Sequence, residues 1–186
     1  MIKPIPVNKE VAWDKSKTIM SKTDPRGVIE YANDAFIEVS GYEEHELMGQ
    51  PQNIVRHPDM PKVIFKILWD NLKAGRNMHA IIKNLAKNGR YYWVITDFEV
   101  KLAGGDIVNY YGKRRAVPQP VITDLIEPLY EKLIQIEKVG GVAASEKYFN
   151  GFLEEKGKDY NAYIKGIITE SDKSGDKKGF FARFFD

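Results

Sequence analysis

Strand-forming and helix-forming segments follow one another in a set order between residues 18 and 116, and this order constrains the fold most. Alternating apolar and polar residues, bounded by turn sequences, predict strands at residues 18–23, 28–31, 79–84, 91–101 and 107–116. Asp24-Pro25-Arg26-Gly27 separates the first two strands, and Lys87-Asn88-Gly89-Arg90 separates the next two. Proline presets the backbone of such turns and glycine accepts their positive φ angles, so both are predicted hairpins.

Short helices are predicted between the second and third strands. Asn33 is placed to cap a helix that Gly41 ends, and residues 43–48 form another. Pro61 opens a longer helix that presents one apolar face and ends at Gly75. Two strands, several short helices and three strands predict an α+β fold, a five-stranded antiparallel sheet with short helices on one face.

The rest of the chain divides into three predicted regions. Residues 1–17 form an N-terminal cap with a short helix at residues 11–13. Pro118 and Pro120 begin a C-terminal helical region, residues 118–170, that is broken at Gly140-Gly141 and interrupted at Gly151 and Gly157. Residues 171–186 form a flexible tail, with a polar tether and then the aromatic segment 179–186.

That aromatic segment holds four phenylalanines around one arginine, which a short tail cannot bury completely. Exposed aromatic clusters mark protein-docking or membrane-surface segments, so we expect a docking role. The alternative is that the segment folds back onto the domain.

Composition excludes several classes of function. The net charge is only +2, from 28 basic and 26 acidic residues, which gives no case for nucleic-acid binding. The chain has no cysteine, so thiolate nucleophiles, cysteine–metal sites and cysteinyl–flavin photochemistry are excluded. No segment has the length and hydrophobicity of a membrane span or signal peptide. No catalytic or metal-binding motif is present, so we expect a non-enzymatic protein of the cytoplasm.

Local motifs identify a resemblance over residues 18–117. Asn33-Asp34-Ala35-Phe36, Ser40-Gly41-Tyr42 and Glu46-Leu47-Met48-Gly49-Gln50-Pro51 resemble the common PAS pattern. Asn53-Ile54-Val55-Arg56-His57-Pro58-Asp59-Met60-Pro61 resembles the signature of aerotaxis-receptor PAS domains, which sense redox state through bound FAD. Lys83-Asn84 and Tyr92-Trp93-Val94 continue the match.

The resemblance implies a redox or oxygen sensor for energy taxis that binds FAD and signals to a membrane-bound chemotaxis protein. The chain shows neither the membrane anchor nor the signalling coiled coil of the familiar aerotaxis receptor. It is therefore more similar to the stand-alone PAS subunit of a bipartite energy-taxis receptor. Such a subunit is expected in the cytoplasm, held at the inner membrane through its partner, and is able to form a homodimer.

The loop signature supplies three candidate ligand residues. Arginine suits a pyrophosphate because its planar fork donates paired hydrogen bonds, which makes Arg56 the first candidate. His57 is a donor for a phosphate or a ring edge, and Asp59 is placed to orient either neighbour. The alternative is that Asp59 caps the helix that opens at Pro61 and that Arg56 is solvated.

Four further candidates lie on predicted helices and strands. Trp69 is placed to stack on a flavin or adenine ring, or to be ordinary core. Asn84 carries an amide that both donates and accepts, so it can read the N5/O4 edge of a flavin, or it is a turn residue. Asn33 is a helix cap that the resemblance adds to the ligand contacts, and Trp93 or Tyr91 is expected to wall the pocket.

Two other functions remain open at the level of sequence. The first is a cofactor-free PAS module that dimerises or docks without sensing. The second is a PAS sensor of haem or a small metabolite, for which an axial haem ligand would have to be His45, His57 or His79.

Overall fold

The computed structural model describes residues 3–174, and these fall into two compact units. The first comprises residues 3–60 and 64–117, and the second comprises residues 61–63 and 118–174. The aromatic segment 179–186 and the tether residues beyond Ser174 lie outside the described residues.

The first unit is built on five antiparallel strands in the order β2-β1-β5-β4-β3. Their bounds are β1 Ile19–Thr23, β2 Ile29–Ala32, β3 Met78–Leu85, β4 Tyr91–Ala103 and β5 Asp106–Ala116. The predicted sheet and all five strands are confirmed. Because side chains alternate between the faces of a strand, the pairing places one set of buried residues together on the inner face, including Ser21, Ala80, Ile82, Val94, Phe98 and Tyr110.

The predicted turn between β1 and β2 is confirmed and is held by Asp24. Its carboxylate accepts hydrogen bonds from the backbone N–H groups of Arg26, at 2.8 Å, and Val28, at 2.9 Å. Gly27 has a φ of 82°, in the left-handed region where glycine is the least strained residue. The turn therefore fixes the register of the first hairpin through local hydrogen bonds.

Helical segments connect β2 to β3, and all but Lys62 and Val63 of their residues belong to the first unit. They are α1 Asp34–Ser40, α2 Glu44–Leu47, a 3-10 turn at Gln52–Val55, and α3 Lys62–Lys73. Asn33 caps α1, because its Oδ1 accepts from the N–H of Phe36 at 3.1 Å, and Gly41 ends the helix with a φ of 70°. These assignments confirm the helices predicted from the capping residues and from the apolar face of α3.

The N-terminal segment is extended, so the short helix predicted at residues 11–13 is wrong. Backbone hydrogen bonds run from Val11 N to Tyr91 O at 2.8 Å and from Tyr91 N to Lys9 O at 3.0 Å. The segment therefore pairs along the start of β4. The unpaired backbone N–H and C=O groups at the start of β4 form hydrogen bonds with this segment, and an isolated three-residue helix would not have such bonds.

The second unit is helical. Its elements are α4 Gln119–Val121, a π-helical turn at Ile122–Ile126, α5 Glu127–Glu155 and α6 Tyr160–Ser174. Gly141 has a φ of 75° and divides α5 into two helical parts, which confirms the predicted break. Gly157, with a φ of 63°, separates α5 from α6, as predicted. Gly151 remains within α5, so the interruption predicted there is wrong.

The core of the second unit is aromatic and contains a buried hydroxyl pair. The hydroxyl oxygens of Tyr130 and Tyr160 lie 2.8 Å apart, and the rings of Phe149 and Tyr160 meet edge to face at 5.5 Å.

The tether predicted from residue 171 is wrong over its first residues, because α6 continues to Ser174.

Candidate ligand-binding site

A cavity of about 290 Å³ lies in the first unit, between the inner face of the sheet, α3 and the loop around the 3-10 turn. This volume is at the lower end of the roughly 300–1,000 Å³ that ligand pockets span. Three of its lining residues, Arg26, Pro51 and Asn53, are exposed, and they mark the side on which the cavity opens. The cavity is large enough to enclose a ring system, and a longer ligand would continue out through this side.

The lining of the cavity is positively charged. It includes Arg26, Arg56 and Arg114, and no aspartate or glutamate occurs among the lining residues within the described chain. Arg26 is paired with Asp24 at 2.8 Å and its side chain is mostly exposed. The other two guanidinium groups have no carboxylate partner among the described residues. The site is therefore suited to a ligand that carries negative charge or many acceptor atoms.

Arg56 lies beside Asn84 because the loop that follows the 3-10 turn pairs with β3. An isolated antiparallel bridge joins the two residues, and both line the cavity. The guanidinium carbon of Arg56 lies 3.6 Å from the centre of the Phe65 ring, a cation–π contact that fixes the side chain. Burial lowers the pKa of Arg56, but an arginine remains protonated at neutral pH.

Two buried nitrogen atoms of the lining have no hydrogen-bond partner among the described residues. They are Nε of Arg56 and Nε2 of Gln52. Buried donors are nearly always satisfied in folded proteins, so an unsatisfied pair that lines one cavity is evidence for a ligand with acceptor atoms. The carbonyl and ring-nitrogen edge of a flavin, extended by phosphates, has this chemistry, so the residues fit such a ligand.

Aromatic side chains form the wall of the cavity on the side of α3. Trp69 and Tyr110 meet edge to face, with ring centres 5.6 Å apart. A Cβ atom at Gly27 would lie only 2.9 Å from Cη2 of Trp69, so the absence of a side chain in the hairpin makes room for the indole. Hairpin, helix and sheet together position aromatic side chains against which a planar ring can pack.

Comparisons with known proteins agree with this geometry. Residues 29–112 match the family model described as the PAS fold. The chain is 45% identical over 117 residues to the aerotaxis receptor of Escherichia coli (strain K12), an alignment that covers 62% of this chain and 23% of the receptor. Residues 29–112 therefore form a PAS domain that is similar to the aerotaxis receptor.

Another relative is a regulator by name. The nitrogen fixation regulatory protein of Klebsiella pneumoniae is 27% identical over 105 residues, covering 56% of this chain and 21% of that protein. The chain thus spans less than a quarter of the length of these curated relatives. It is similar to a solved light-oxygen-voltage domain studied with a flavin analogue, with a TM-score of 0.54, 22% identity, and coverage of 63% of this chain and 90% of that one.

A second solved relative confirms the fold. The light-oxygen-voltage domain of the blue-light photoreceptor Aureochrome1 matches with a TM-score of 0.53 and 23% identity, over 59% of this chain and 89% of that one. These structural similarities, at 22% and 23% identity, support the PAS fold. Among the described residues, no helix is long and apolar enough to cross a membrane.

The structure brings three of the seven predicted site residues to the cavity of the PAS domain. Arg56, Trp69 and Asn84 line it, each from a different element. His57 and Asp59 do not. Because neighbouring residues of an extended segment point to opposite sides, His57 turns away from the cavity and meets the ring of Tyr91 edge to face at 6.5 Å.

His57 and Asp59 instead organise the loop. The Nδ1 atom of His57 accepts a hydrogen bond from the backbone N–H of Asp59 at 3.1 Å. Burial, with the nearby positive charge of Lys83, lowers the pKa of His57 to about 4, against the weaker opposing charge of Asp59. The imidazole is therefore neutral at physiological pH. The carboxylate of Asp59 lies 3.4 Å from Nζ of Lys83, which ties the loop to β3.

The other two predicted residues are also placed away from the cavity. Asn33 uses its side chain within the fold, because besides capping α1 it accepts from Met20 N at 2.9 Å and donates to Thr18 O at 2.9 Å. Trp93 is buried on the opposite face of the sheet from the cavity, since it pairs with Lys83, whereas its neighbour Tyr92 faces inward beside Asn84. Strand alternation thus selects Tyr92 for the inner face and excludes Trp93 from the cavity wall.

Sequence reasoning missed Ser21, Gln52 and Arg114, which line the cavity from β1, the 3-10 turn and β5. One signal for Arg114 was present. In the predicted strand 107–116 it alternates with Tyr110 and Gly112, so it shares their face, and an arginine on an apolar strand face is unusual.

Proposed function

We propose that this PAS domain binds FAD in the cavity and works as a redox sensor in energy or oxygen taxis. One observation carries the proposal. The cavity combines an aromatic wall with cationic side chains, buried unsatisfied donors and no carboxylate among its described lining residues. A planar ring with an acceptor-rich edge and a phosphate-bearing side chain matches each of these features.

Different residues of the cavity would contact different parts of the ligand. Trp69 packs against the ring, and Asn84 hydrogen-bonds its polar edge from the sheet. Arg56, on the loop near the open side, takes the phosphates, for which its fork of donors is suited. The volume of about 290 Å³ encloses the ring system and leaves the adenosine part outside.

The flavin, when bound, would supply reversible uptake of electrons and protons, and the protein supplies tuning and readout. Asn84 is the proposed reader, because its amide can present either a donor or an acceptor to a ring edge whose protonation changes. Because Asn84 lies on β3, a change in its hydrogen bond to the ring would act directly on the sheet. Two packings of the domain that differ in their affinity for the two redox forms are sufficient for signalling.

The proposed output is a change in the contact with a membrane-bound chemotaxis-type signalling protein. Support comes from the similarity to the aerotaxis receptor, of which this chain covers only 23%. The sensor would act in the cytoplasm, held at the inner membrane by that partner. Co-sedimentation of the full chain with inner membranes, lost when the partner is removed, is the test of this part.

A haem sensor is the weaker alternative. His45, His57 and His79 are the histidines of the chain, and none of them lines the cavity within the described residues. A haem there would lack a histidine ligand to its iron.

The binding proposal is tested by titrating the flavin-free full chain with FAD and with hemin, followed by flavin fluorescence and by the Soret band. We expect saturable FAD binding that Asn84→Leu weakens at least about tenfold, since the leucine leaves the ring edge without its partner. Lys101→Leu, on an exposed strand end, is the control and leaves binding unchanged. Saturable hemin binding with no FAD binding would contradict the proposal.

A further inference from the structure

Arg114 is a buried cation in the floor of the cavity. Only 4% of its surface is exposed, although arginine is among the residues least often buried. Its guanidinium folds back along β5, where Nη1 donates to the carbonyl oxygen of Gly112 at 3.1 Å. Glycine at residue 112 leaves room for this conformation, because a Cβ atom there would lie 2.7 Å from Nη2 of Arg114 and would displace the guanidinium.

No carboxylate compensates this charge among the described residues. Besides Gly112, the guanidinium donates to Oγ of Ser21 at 3.0 Å, and its carbon lies 5.3 Å from the ring centre of Phe36. Burial lowers the pKa of Arg114 to about 10, so it stays positively charged at neutral pH. A buried charge without an opposite charge is unfavourable for the ligand-free protein, which points to compensation by a ligand.

The neighbours of Arg114 extend the array of donors. The hydroxyl of Ser21 accepts from Arg114 and donates to Oε1 of Gln52 at 3.0 Å. This orientation fixes the amide of Gln52 and leaves its Nε2 buried without a partner among the described residues. Arg114, Ser21 and Gln52 all line the cavity. The hydrogen bonds between them therefore hold the donor groups of Arg114 and Gln52 in place at one region of the cavity.

We propose that Arg114 and Gln52 form a subsite for the acceptor-rich, negatively polarised edge of the bound ring, separate from the phosphate contact at Arg56. The inference rests on the proposed flavin function and assigns the N1/O2 side of the ring to Arg114 and Gln52, with the N5/O4 edge left to Asn84 on β3. The burial of the two arginines supports separate contacts. Arg114 is buried on the sheet, whereas Arg56 is half-buried on the loop.

Two ligands that share the ring but differ in phosphate separate the subsites. The full chain is titrated with FAD and with riboflavin, which has the same ring and no phosphate. Arg114→Met should weaken both ligands by the same factor, about 10- to 100-fold, as expected for losing hydrogen bonds from a charged group. Arg56→Met, the matched control, should weaken FAD by a much larger factor than riboflavin.

The melting temperature of the ligand-free protein distinguishes a ligand subsite from a structural role. Arg114→Met removes an uncompensated buried charge, so the ligand-free variant should melt at or above the wild-type temperature, with a smaller rise on adding FAD. Gly112→Ala displaces the guanidinium but keeps the charge. It should lose affinity for both ligands without the gain in melting temperature.

Three results would overturn the inference. They are an Arg114→Met variant that loses FAD but not riboflavin affinity, one that keeps both affinities, and one that loses both affinities but melts well below wild type without ligand. If the wild-type chain binds neither FAD nor riboflavin, the proposed function itself fails and the subsite fails with it. Wild-type binding with an unaffected Arg114→Met variant rejects the subsite alone.

Discussion

Replacing Gly27 by alanine tests whether the hairpin of the PAS domain makes room for Trp69. Gly27 has a φ of 82°, and a Cβ atom there would lie 2.9 Å from Cη2 of the indole. The left-handed backbone costs an L-residue about 1–2 kcal/mol. An extra methyl group in a packed site adds about 1–3 kcal/mol. We therefore expect Gly27→Ala to lower the free energy of unfolding of the first unit by about 2–5 kcal/mol.

Gly104→Ala is the matched control for this prediction. Gly104 also has a positive φ, of 61°, but no atom lies within 4 Å of a Cβ atom built there. Its substitution should cost only the conformational part, about 1–2 kcal/mol. The difference between the two variants, about 1–3 kcal/mol, then measures the contact with Trp69.

The assay is urea denaturation followed by tryptophan fluorescence, because Trp13, Trp69 and Trp93 all belong to the first unit. Adding Trp69→Leu to Gly27→Ala should recover most of the steric part, so the two substitutions should be non-additive. Equal losses in Gly27→Ala and Gly104→Ala, or full additivity in the double variant, would refute the steric account.

Three further predictions concern residues that the structure places away from the cavity. Asn33→Ala removes three hydrogen bonds and should lower the free energy of unfolding by about 2–3 kcal/mol in urea denaturation, while leaving the dissociation constant for FAD unchanged. Trp93→Phe should leave FAD affinity within about twofold of wild type in a fluorescence titration, because Trp93 lies on the opposite face of the sheet, and a large loss would place it at the site. His57 has a pKa near 4 in the folded state against 6.5 for the free side chain. Unfolding therefore takes up a proton between these values, and its free energy should fall as pH drops through them, by up to about 1.4 kcal/mol per pH unit. His57→Asn should flatten this slope in urea titrations at several pH values, whereas His45→Asn, at an exposed position, should not.

The fold could be predicted from the sequence because its signals are local. The Asp24–Gly27 and Lys87–Arg90 turns, the cap at Asn33 and the apolar face of α3 each specify their element without reference to distant residues. The N-terminal segment was mispredicted for the complementary reason. Its extended form depends on backbone partners on β4, which lie about 80 residues away in sequence.

The site was only partly predictable, because the side of the sheet or loop on which a residue lies depends on pairing. Arg56, Trp69 and Asn84 were found and do line the cavity. His57 belongs to the same motif but turns away, since the loop is extended and its residues alternate. Arg114 was missed because an arginine in a predicted strand is usually solvated, and only the pairing of the strands shows that the face it shares with Tyr110 and Gly112 is the inner one.

The absorption spectrum of the purified full chain, before and after adding dithionite, shows whether the PAS domain holds a redox-active flavin. We expect the near-ultraviolet and blue bands of an oxidised flavin, in the protein as isolated or after adding FAD and removing the excess. Dithionite should bleach the blue band and air should restore it. A featureless spectrum that FAD does not change would rule out the flavin sensor, and it would favour a PAS domain that acts through protein contacts alone.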